Sequence, residues 1–136
     1  MKRYNRFYFF LLIISLTGCT EDIDRNLGNG YFLTGYGVTT IIFKHDKGGG
    51  DDQILLGEIV DYKFDDNFIL VYREVSEKVK AHFNDHSYAE IMRGGDTTQY
   101  WIIQKQKDSI IGPLHKDEYL LKRSELDIPN SIQLKE

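Results

Sequence analysis

The sequence predicts a mainly β fold of the α+β class, an antiparallel sheet arranged as a small sandwich or curved meander, with one C-terminal helix. Two observations favour it. Short segments rich in aromatic and β-branched residues are separated by glycine-rich or Asp-Asn turn sequences. A parallel sheet would need repeated crossover helices, whereas the chain offers at most two helical segments.

The clearest local prediction is a hairpin over residues 58–75. Val60, Tyr62 and Phe64 alternate with polar residues, which is the period of a strand with one buried face. The turn follows at 65–67, an Asp-Asp-Asn cluster whose side chains bond their own backbone. Residues 76–98 show no clear pattern. Further strands are predicted over 31–36, 39–45, 54–56, 99–105 and 109–112, with a short last strand over 131–135.

The C-terminal helix is predicted over 116–126, with two acidic residues near its start, where they interact favourably with the helix dipole. Pro129 follows the helix and stops it. Pro113 is expected to end the preceding strand, because proline has no N–H to donate to a ladder. The residues expected near one helix face are Tyr119, Leu120, Arg123 and Leu126.

The first 18 residues have the order of a secretory signal peptide. Three basic residues precede an apolar run over 7–16, which is too short to span a bilayer. The segment closes with Leu-Thr-Gly before Cys19, the single cysteine of the chain. This ending resembles the lipobox of bacterial lipoproteins, in which the cysteine sulfur receives diacylglycerol and the chain is cut just before it. The resemblance implies a membrane lipoprotein with covalent diacylglycerol and fatty acid, such as palmitate, at Cys19.

The mature chain is predicted to hold an acidic tether over 19–29 and a single globular β-rich domain over 30–136. Because the signal contains three basic residues and no acidic residue, the mature chain keeps 14 Lys and Arg against 21 Asp and Glu, a formal charge of −7. Such an acidic domain argues against nucleic acid as a partner and against broad electrostatic docking on anionic lipid.

The residues after Cys19 bear on localisation in the bacterial cell envelope. Thr20 stands where aspartate is a known inner-membrane retention signal, and Glu21 with Asp22 resembles the surface-export signal of some bacterial lineages. These resemblances imply an outer-membrane lipoprotein that faces either the periplasm or the exterior. The alternative is that the acidic residues belong only to a solvated tether.

A metal site is the one catalytic arrangement that the histidines suggest. His82 and His86 are four residues apart, which on a helix would place two imidazoles on one face. Asn84 and Asp85 are poor helix formers, however, and catalytic zinc needs three protein ligands. Two exposed polar histidines are therefore the preferred interpretation.

The remaining polar patterns have structural explanations. The aspartates around the triple glycine lack the spacing of a calcium loop, and no serine lies in a GxSxG pattern. We therefore expect no enzyme activity, no metal and no cofactor apart from the covalent lipid. The aspartates in question are Asp46, Asp51 and Asp52, with Asp65 and Asp66 explained by their turn.

Tyr100 and Trp101 lie in the middle of a predicted strand. Each is either a core residue or an exposed binding aromatic, and the core is favoured because large aromatic side chains usually bury. The segment YWII from Tyr100, the GPL from Gly112 and the helix ending ELDIP resemble a family of small, uncharacterised bacterial lipoproteins. The likeness covers most of residues 29–129, although His115 replaces the serine that usually opens the helix, which weakens the N-cap. The resemblance implies no functional residues.

Three classes of function remain open. The preferred interpretation is a binding or interaction module, held in the envelope by its lipid, that presents a β surface to an unknown envelope protein or glycan. The alternative is a small envelope inhibitor or immunity-type lipoprotein. A metal-dependent hydrolase using His82, His86 and a carboxylate has less support, because the ligand set is incomplete.

Overall fold

A computed structural model describes residues 23–35, 40–45, 48, 51–55, 59–74 and 98–135 of the chain. Within these ranges the protein forms two four-stranded antiparallel sheets and one helix. The predicted mainly β fold with a C-terminal helix is therefore confirmed. No helix in this part of the chain has the length and apolar composition needed to cross a membrane.

The N-terminal sheet is a meander in which each strand pairs with the next along the chain. A tight turn joins its first two strands, and Asn29 adopts a positive φ of 53° there, a conformation that asparagine tolerates better than most residues. The strands are β1 (Ile23–Gly28), β2 (Tyr31–Gly35), β3 (Ile41–His45) and β4 (Asp51–Leu55).

The C-terminal sheet is a second meander, and it contains the hairpin predicted over 58–75. Asp65 closes this hairpin, since its carboxylate accepts the backbone N–H groups of Asn67 and Phe68, both at 2.8 Å. The strands are β5 (Ile59–Phe64), β6 (Phe68–Glu74), β7 (Thr98–Gln104) and β8 (Ser109–Leu114), and helix α1 (Lys116–Glu125) follows them.

The two sheets share an apolar core, and a second core lies on the other face of the C-terminal sheet. Successive residues of a strand point to opposite faces, so β6 and β7 are buried on both sides. The core between the sheets contains Leu27, Tyr31, Leu33, Ile42, Ile69, Val71, Trp101 and Ile103. The core beneath α1 contains Leu70, Ile102, Tyr119, Ile128, Ile132 and Leu134.

A buried lysine connects the sheets at one end of the sandwich. Lys105 is 4% exposed, and its ammonium donates to the backbone carbonyls of Leu27 in β1 and Asp65 after β5. The same ammonium lies 5.1 Å from the centre of the Phe64 ring. Burial lowers the pKa of Lys105. The lysine thus satisfies polar backbone groups that the packed sheets would otherwise bury without partners.

β1 corrects the predicted tether over 19–29. Residues Ile23–Gly28 form a strand along the whole of β2, and Leu27 is fully buried between the sheets. The polar composition of the segment fits its place at the edge of the sheet, where one face of the strand contacts solvent. Three of its residues, Asp24 to Asn26, are exposed. Edge strands commonly carry such charge. Residues 19–22 lie outside the described ranges.

Two further predictions about the C-terminal sheet are wrong. Pro113 does not end β8, which continues to Leu114. β8 is an edge strand, and its register shifts between Tyr100 and Ile102 of β7. Proline is tolerated at an edge or bulge, where no partner needs its N–H. Residues 131–135 form no strand but a turn and a bend followed by irregular chain, in which Ile132 and Leu134 are buried.

The helix forms where the sequence predicts it, and it ends at Glu125, four residues before Pro129. Its buried face is narrower than predicted. Tyr119 is buried, whereas Leu120 is 47% exposed. The neighbouring Leu121 is also exposed.

Candidate functional site

The structure separates the two aromatic residues that the sequence singles out. Trp101 is 6% exposed in the core between the sheets, and its indole N–H donates to the Gln99 side-chain oxygen at 3.3 Å. An exposed binding role for Trp101 is therefore wrong. Tyr100 is half-buried and packs on the opposite face of β7, against the core beneath α1.

Tyr100 lies in the wall of a concave pocket between α1 and the segment that follows it, which we call the helix pocket. Its cavity volume is about 150 Å³. The segment after the helix contributes Asn130, Gln133, Leu134 and Lys135. The helix contributes Lys116, Tyr119, Leu120 and Arg123.

A stack of tyrosine rings fixes α1 to the sheet. The rings of Tyr100 and Tyr119 lie 4.9 Å apart at 24°, and Tyr72 lies 5.0 Å from Tyr100 on its other side. Such offset aromatic pairs add about 0.5–1.5 kcal/mol each beyond the area that they bury. Burial also raises the pKa of Tyr119, so this ring stays neutral at physiological pH. The stack gives the pocket a rigid aromatic side.

The start of the helix positions Lys116. The Glu118 carboxylate accepts the backbone N–H of His115 at 2.9 Å, which satisfies one donor at the open end of the helix. Asp117 and Glu118 also lie in the first turn, where acidic residues favour the helix dipole. These contacts offset the weak N-cap expected from His115 and fix the backbone at the start of the helix, where Lys116 lines the pocket.

Backbone hydrogen bonds turn the chain back across the pocket after α1. Asp127 adopts a positive φ of 51°, and the backbone N–H of Ile128 donates to the Arg123 carbonyl at 3.0 Å. Further along, the backbone N–H of Lys135 donates to the Asp61 carboxylate at 2.6 Å, which ties this segment to β5. The segment therefore forms a second wall opposite the helix.

Arg123 joins the two walls. Its guanidinium donates to the Pro129 carbonyl at 3.1 Å and, at the limit of hydrogen bonding, to the Tyr119 hydroxyl at 3.5 Å. A guanidinium carries five N–H donors in a fixed plane. These two contacts fix that plane at the pocket while using only part of its donor capacity.

The pocket is positively charged within an acidic protein. Among the described residues, its lining includes three cationic residues, Lys116, Arg123 and Lys135, and no carboxylate, whereas the whole chain has a formal charge of −4. The described lining offers lysine, arginine and amide side chains, two tyrosines and two leucines, Leu120 and Leu134.

A second depression in the described part of the chain is broader and less charged. It has a volume of about 270 Å³ and lies between the end of α1 and the 65–67 and 105–108 turns. Lys107 is its single charged lining residue. Nearby, Asp108 pairs with Lys44 and accepts the Tyr31 hydroxyl at 3.3 Å. The hydrogen bond from Lys44 lowers the pKa of Asp108, and this pair links the sheets rather than forming a site.

Most residues that the sequence suggests for metal or lipid chemistry lie outside the described ranges. These include Cys19, Asp46, His82 and His86, and the side chains of Asp51 and Asp52 are likewise not described. Across the ranges that the structure does describe, no group of three or more His, Cys, Asp or Glu residues could hold a metal ion. The two-histidine hypothesis therefore stays a prediction.

A family model described as protein of unknown function, DUF3997, matches residues 28–136. This range contains β2 to β8, α1 and every residue of the helix pocket. No curated protein and no solved structure matches the chain.

Proposed function

We propose that this chain, which belongs to the DUF3997 family of proteins of unknown function, is a lipid-anchored binding module of the bacterial cell envelope. The helix pocket is its ligand site. The observation that carries the proposal is a concave site with convergent polar side chains over a rigid tyrosine stack, which is the usual form of a binding site.

The pocket supports binding rather than catalysis. Its polar groups are donors from lysine, arginine and amide side chains, and these orient a ligand without attacking it. Its walls are built from α1 and from a segment whose backbone is tied to β5 through Asp61. Among the donors, the Arg123 guanidinium is held by its contacts with Tyr119 and Pro129 before a ligand arrives. Preorganisation of this kind reduces the entropy lost on binding.

The lipid anchor rests on the signal-peptide anatomy and on Cys19. β1 begins at Ile23, four positions after this cysteine. Four extended residues reach at most about 14 Å, so a lipid at Cys19 holds the folded domain close to the bilayer surface. The ligand or partner is then a component of the envelope, an unknown protein or glycan, on the periplasmic or the outer side of the outer membrane.

Site-specific photocrosslinking in native cells tests the pocket. Leu120, at the pocket rim, is replaced by p-benzoylphenylalanine in the full-length protein, and Val60 is replaced in the same way as a control. The two positions are matched, since Leu120 is 47% and Val60 is 50% exposed, but Val60 lies on β5 away from the pocket lining.

After irradiation and purification, intact mass and gel mobility report the adducts. We expect adducts from the Leu120 variant and few or none from the Val60 variant. An additional Tyr119→Ala substitution, which removes the ring that supports the pocket, is expected to abolish the Leu120 adduct. Equal adducts at both positions, or none at Leu120, would contradict the proposed site.

A further inference from the structure

We infer that the ligand of the helix pocket presents an anionic group, a carboxylate or a phosphate, to Lys116, Arg123 and Lys135. The inference rests on the proposed binding function and specifies the chemistry of its ligand. It follows from the placement of the three cations, from the charge of their surroundings and from the size of the cavity.

The cations surround the pocket from both walls. Lys116 and Arg123 are seven residues apart on α1, which is two helical turns and therefore the same helix face. They are separated by about 10 Å along the axis, and Lys135 stands on the opposite wall. An anion between them meets positive charge on more than one side.

Arg123 is oriented for bidentate binding. Its contacts with the Tyr119 hydroxyl and the Pro129 carbonyl fix the guanidinium plane at the pocket wall. A planar guanidinium pairs with carboxylate or phosphate through parallel N–H···O bonds, which are stronger than neutral hydrogen bonds. The fixed plane therefore favours an oxyanion, which offers two acceptor oxygens, over a simple halide.

The charge around the pocket also favours an anion. Within the described part of the chain, the lining contains no carboxylate, although the chain as a whole has 21 Asp and Glu against 17 Lys and Arg. The nearby Asp61 carboxylate already accepts the Lys135 backbone N–H at 2.6 Å. Its role is therefore to hold the wall, and it lies outside the lining where an anion would sit.

The volume sets the size of the group that enters. Sites for drug-sized ligands usually have volumes of ~300–1,000 Å³. The cavity, at about 150 Å³, has half the volume of the smallest of these. It accommodates one charged group or a single sugar-sized ring rather than a whole large ligand. The exposed Leu120 at the rim offers an apolar contact for the part of the ligand that stays outside the cavity.

Calorimetric titration of the full-length lipoprotein in a neutral detergent tests the inference. The probes are glucuronate and inorganic phosphate, with glucose as the neutral counterpart of glucuronate. Nanodiscs of phosphatidylcholine, with and without phosphatidylglycerol, form a second arm. Solute binding identifies a soluble or glycan-borne anion as the source, whereas binding only to phosphatidylglycerol identifies a lipid head group.

Single charge removals locate the binding to the pocket. Lys116→Gln and Lys135→Gln are each expected to weaken anion binding about fivefold, which corresponds to about 1 kcal/mol. The control is Lys122→Gln on the same helix, because Lys122 pairs with Glu125 at 2.6 Å and is absent from the lining. It is expected to change the affinity less than twofold. Raising the salt concentration is expected to weaken binding, because exposed charges are screened.

Two results overturn the inference. One is equal affinity for glucose and glucuronate, and the other is no binding of either anion or of phosphatidylglycerol. An equal loss of affinity in Lys122→Gln and Lys116→Gln would also contradict the inference, because the anion would then not bind specifically in the helix pocket. If Leu120 crosslinking succeeds while anions fail to bind, the ligand is uncharged and the proposed function stands. If crosslinking fails, the proposed function itself is wrong.

Discussion

Replacing Gly112 by alanine is expected to destabilise the fold strongly, because this glycine lies directly on the core tryptophan. Gly112 has a φ of +145°, and a Cβ atom built there would lie 2.5 Å from Cε3 of Trp101 and 3.0 Å from the Tyr100 carbonyl oxygen. Real Cβ atoms do not approach a ring so closely. Trp101 is buried between the sheets, so the ring has little room to move aside.

The magnitude follows from two separate costs. The backbone conformation is nearly restricted to glycine and costs about 1–3 kcal/mol for another residue. Forcing an extra methyl group into a packed core costs about 1–3 kcal/mol more. The sum, about 2–6 kcal/mol, is a large part of the ~5–15 kcal/mol by which domains are usually stable.

Gly30→Ala is the matched control. Gly30 also has a positive φ, of +81°, but its added Cβ would meet only the His45 carbonyl oxygen, at 3.4 Å. This variant carries a backbone cost of about 1–2 kcal/mol without displacing an aromatic ring. Comparing the two variants therefore isolates the contact with Trp101.

Urea unfolding of both variants, followed by the fluorescence of the single tryptophan, measures the difference. We expect Gly112→Ala to lose at least about 1 kcal/mol more than Gly30→Ala, with an altered emission maximum in the folded state because the ring must shift. A loss no larger than that of Gly30→Ala, with unchanged emission, would refute the close approach of glycine and tryptophan.

Three further predictions concern other parts of the molecule. Lys105→Met is expected to lower the free energy of unfolding by about 2–4 kcal/mol, because two buried carbonyl groups lose their donor, whereas the exposed Lys107→Met changes it by less than about 0.5 kcal/mol; urea unfolding compares them. The hydrogen bond with Glu74 raises the pKa of Tyr72 to about 12. Because the unfolded state ionises near its usual value of about 10, stability is expected to fall as the pH rises from about 10 to 12, and urea midpoints should show a smaller fall in Tyr72→Phe. Cys19→Ser is expected to abolish labelling by an alkynyl fatty acid and to release the protein from the membrane fraction, and a labelled, membrane-bound variant would contradict the proposed anchor.

The hairpin of β5 and β6 was accessible to sequence reasoning because its determinants are local. Tyr62 and Phe64 alternate with polar residues and pack against the core between the sheets. Val60 is exposed, because the register shifts between Ile59 and Asp61. Asp65 closes the turn by accepting the backbone N–H groups of residues two and three positions ahead. Both signals lie within a few residues of one another. The helix over Lys116–Glu125 is also determined locally. Two acidic residues that interact favourably with the helix dipole mark its start, and Pro129 follows its end.

The errors arise where a neighbouring strand decides the outcome. β1 has the composition of a linker, and it becomes a strand because Leu27 fits between the sheets and β2 supplies the hydrogen bonds. Pro113 is tolerated because β8 is at an edge. Neither the position of an edge nor the depth of the core beside Leu27 can be inferred from the composition of the segment itself.

The helix pocket is the most non-local feature, and its assembly explains why the sequence did not reveal it. Tyr100 was singled out as a possible binding aromatic, but Lys116, Arg123 and Lys135 look like solvated charges in their own segments. They converge because Ile132 and Leu134 bury themselves beneath α1 and bring the last residues of the described chain back across the sheet. Burial of the apolar residues of that segment therefore provides the free energy that brings the three cationic residues close together. Since a bound anion would lower the repulsion among these cations, ligand binding is expected to stabilise the docked position of the segment.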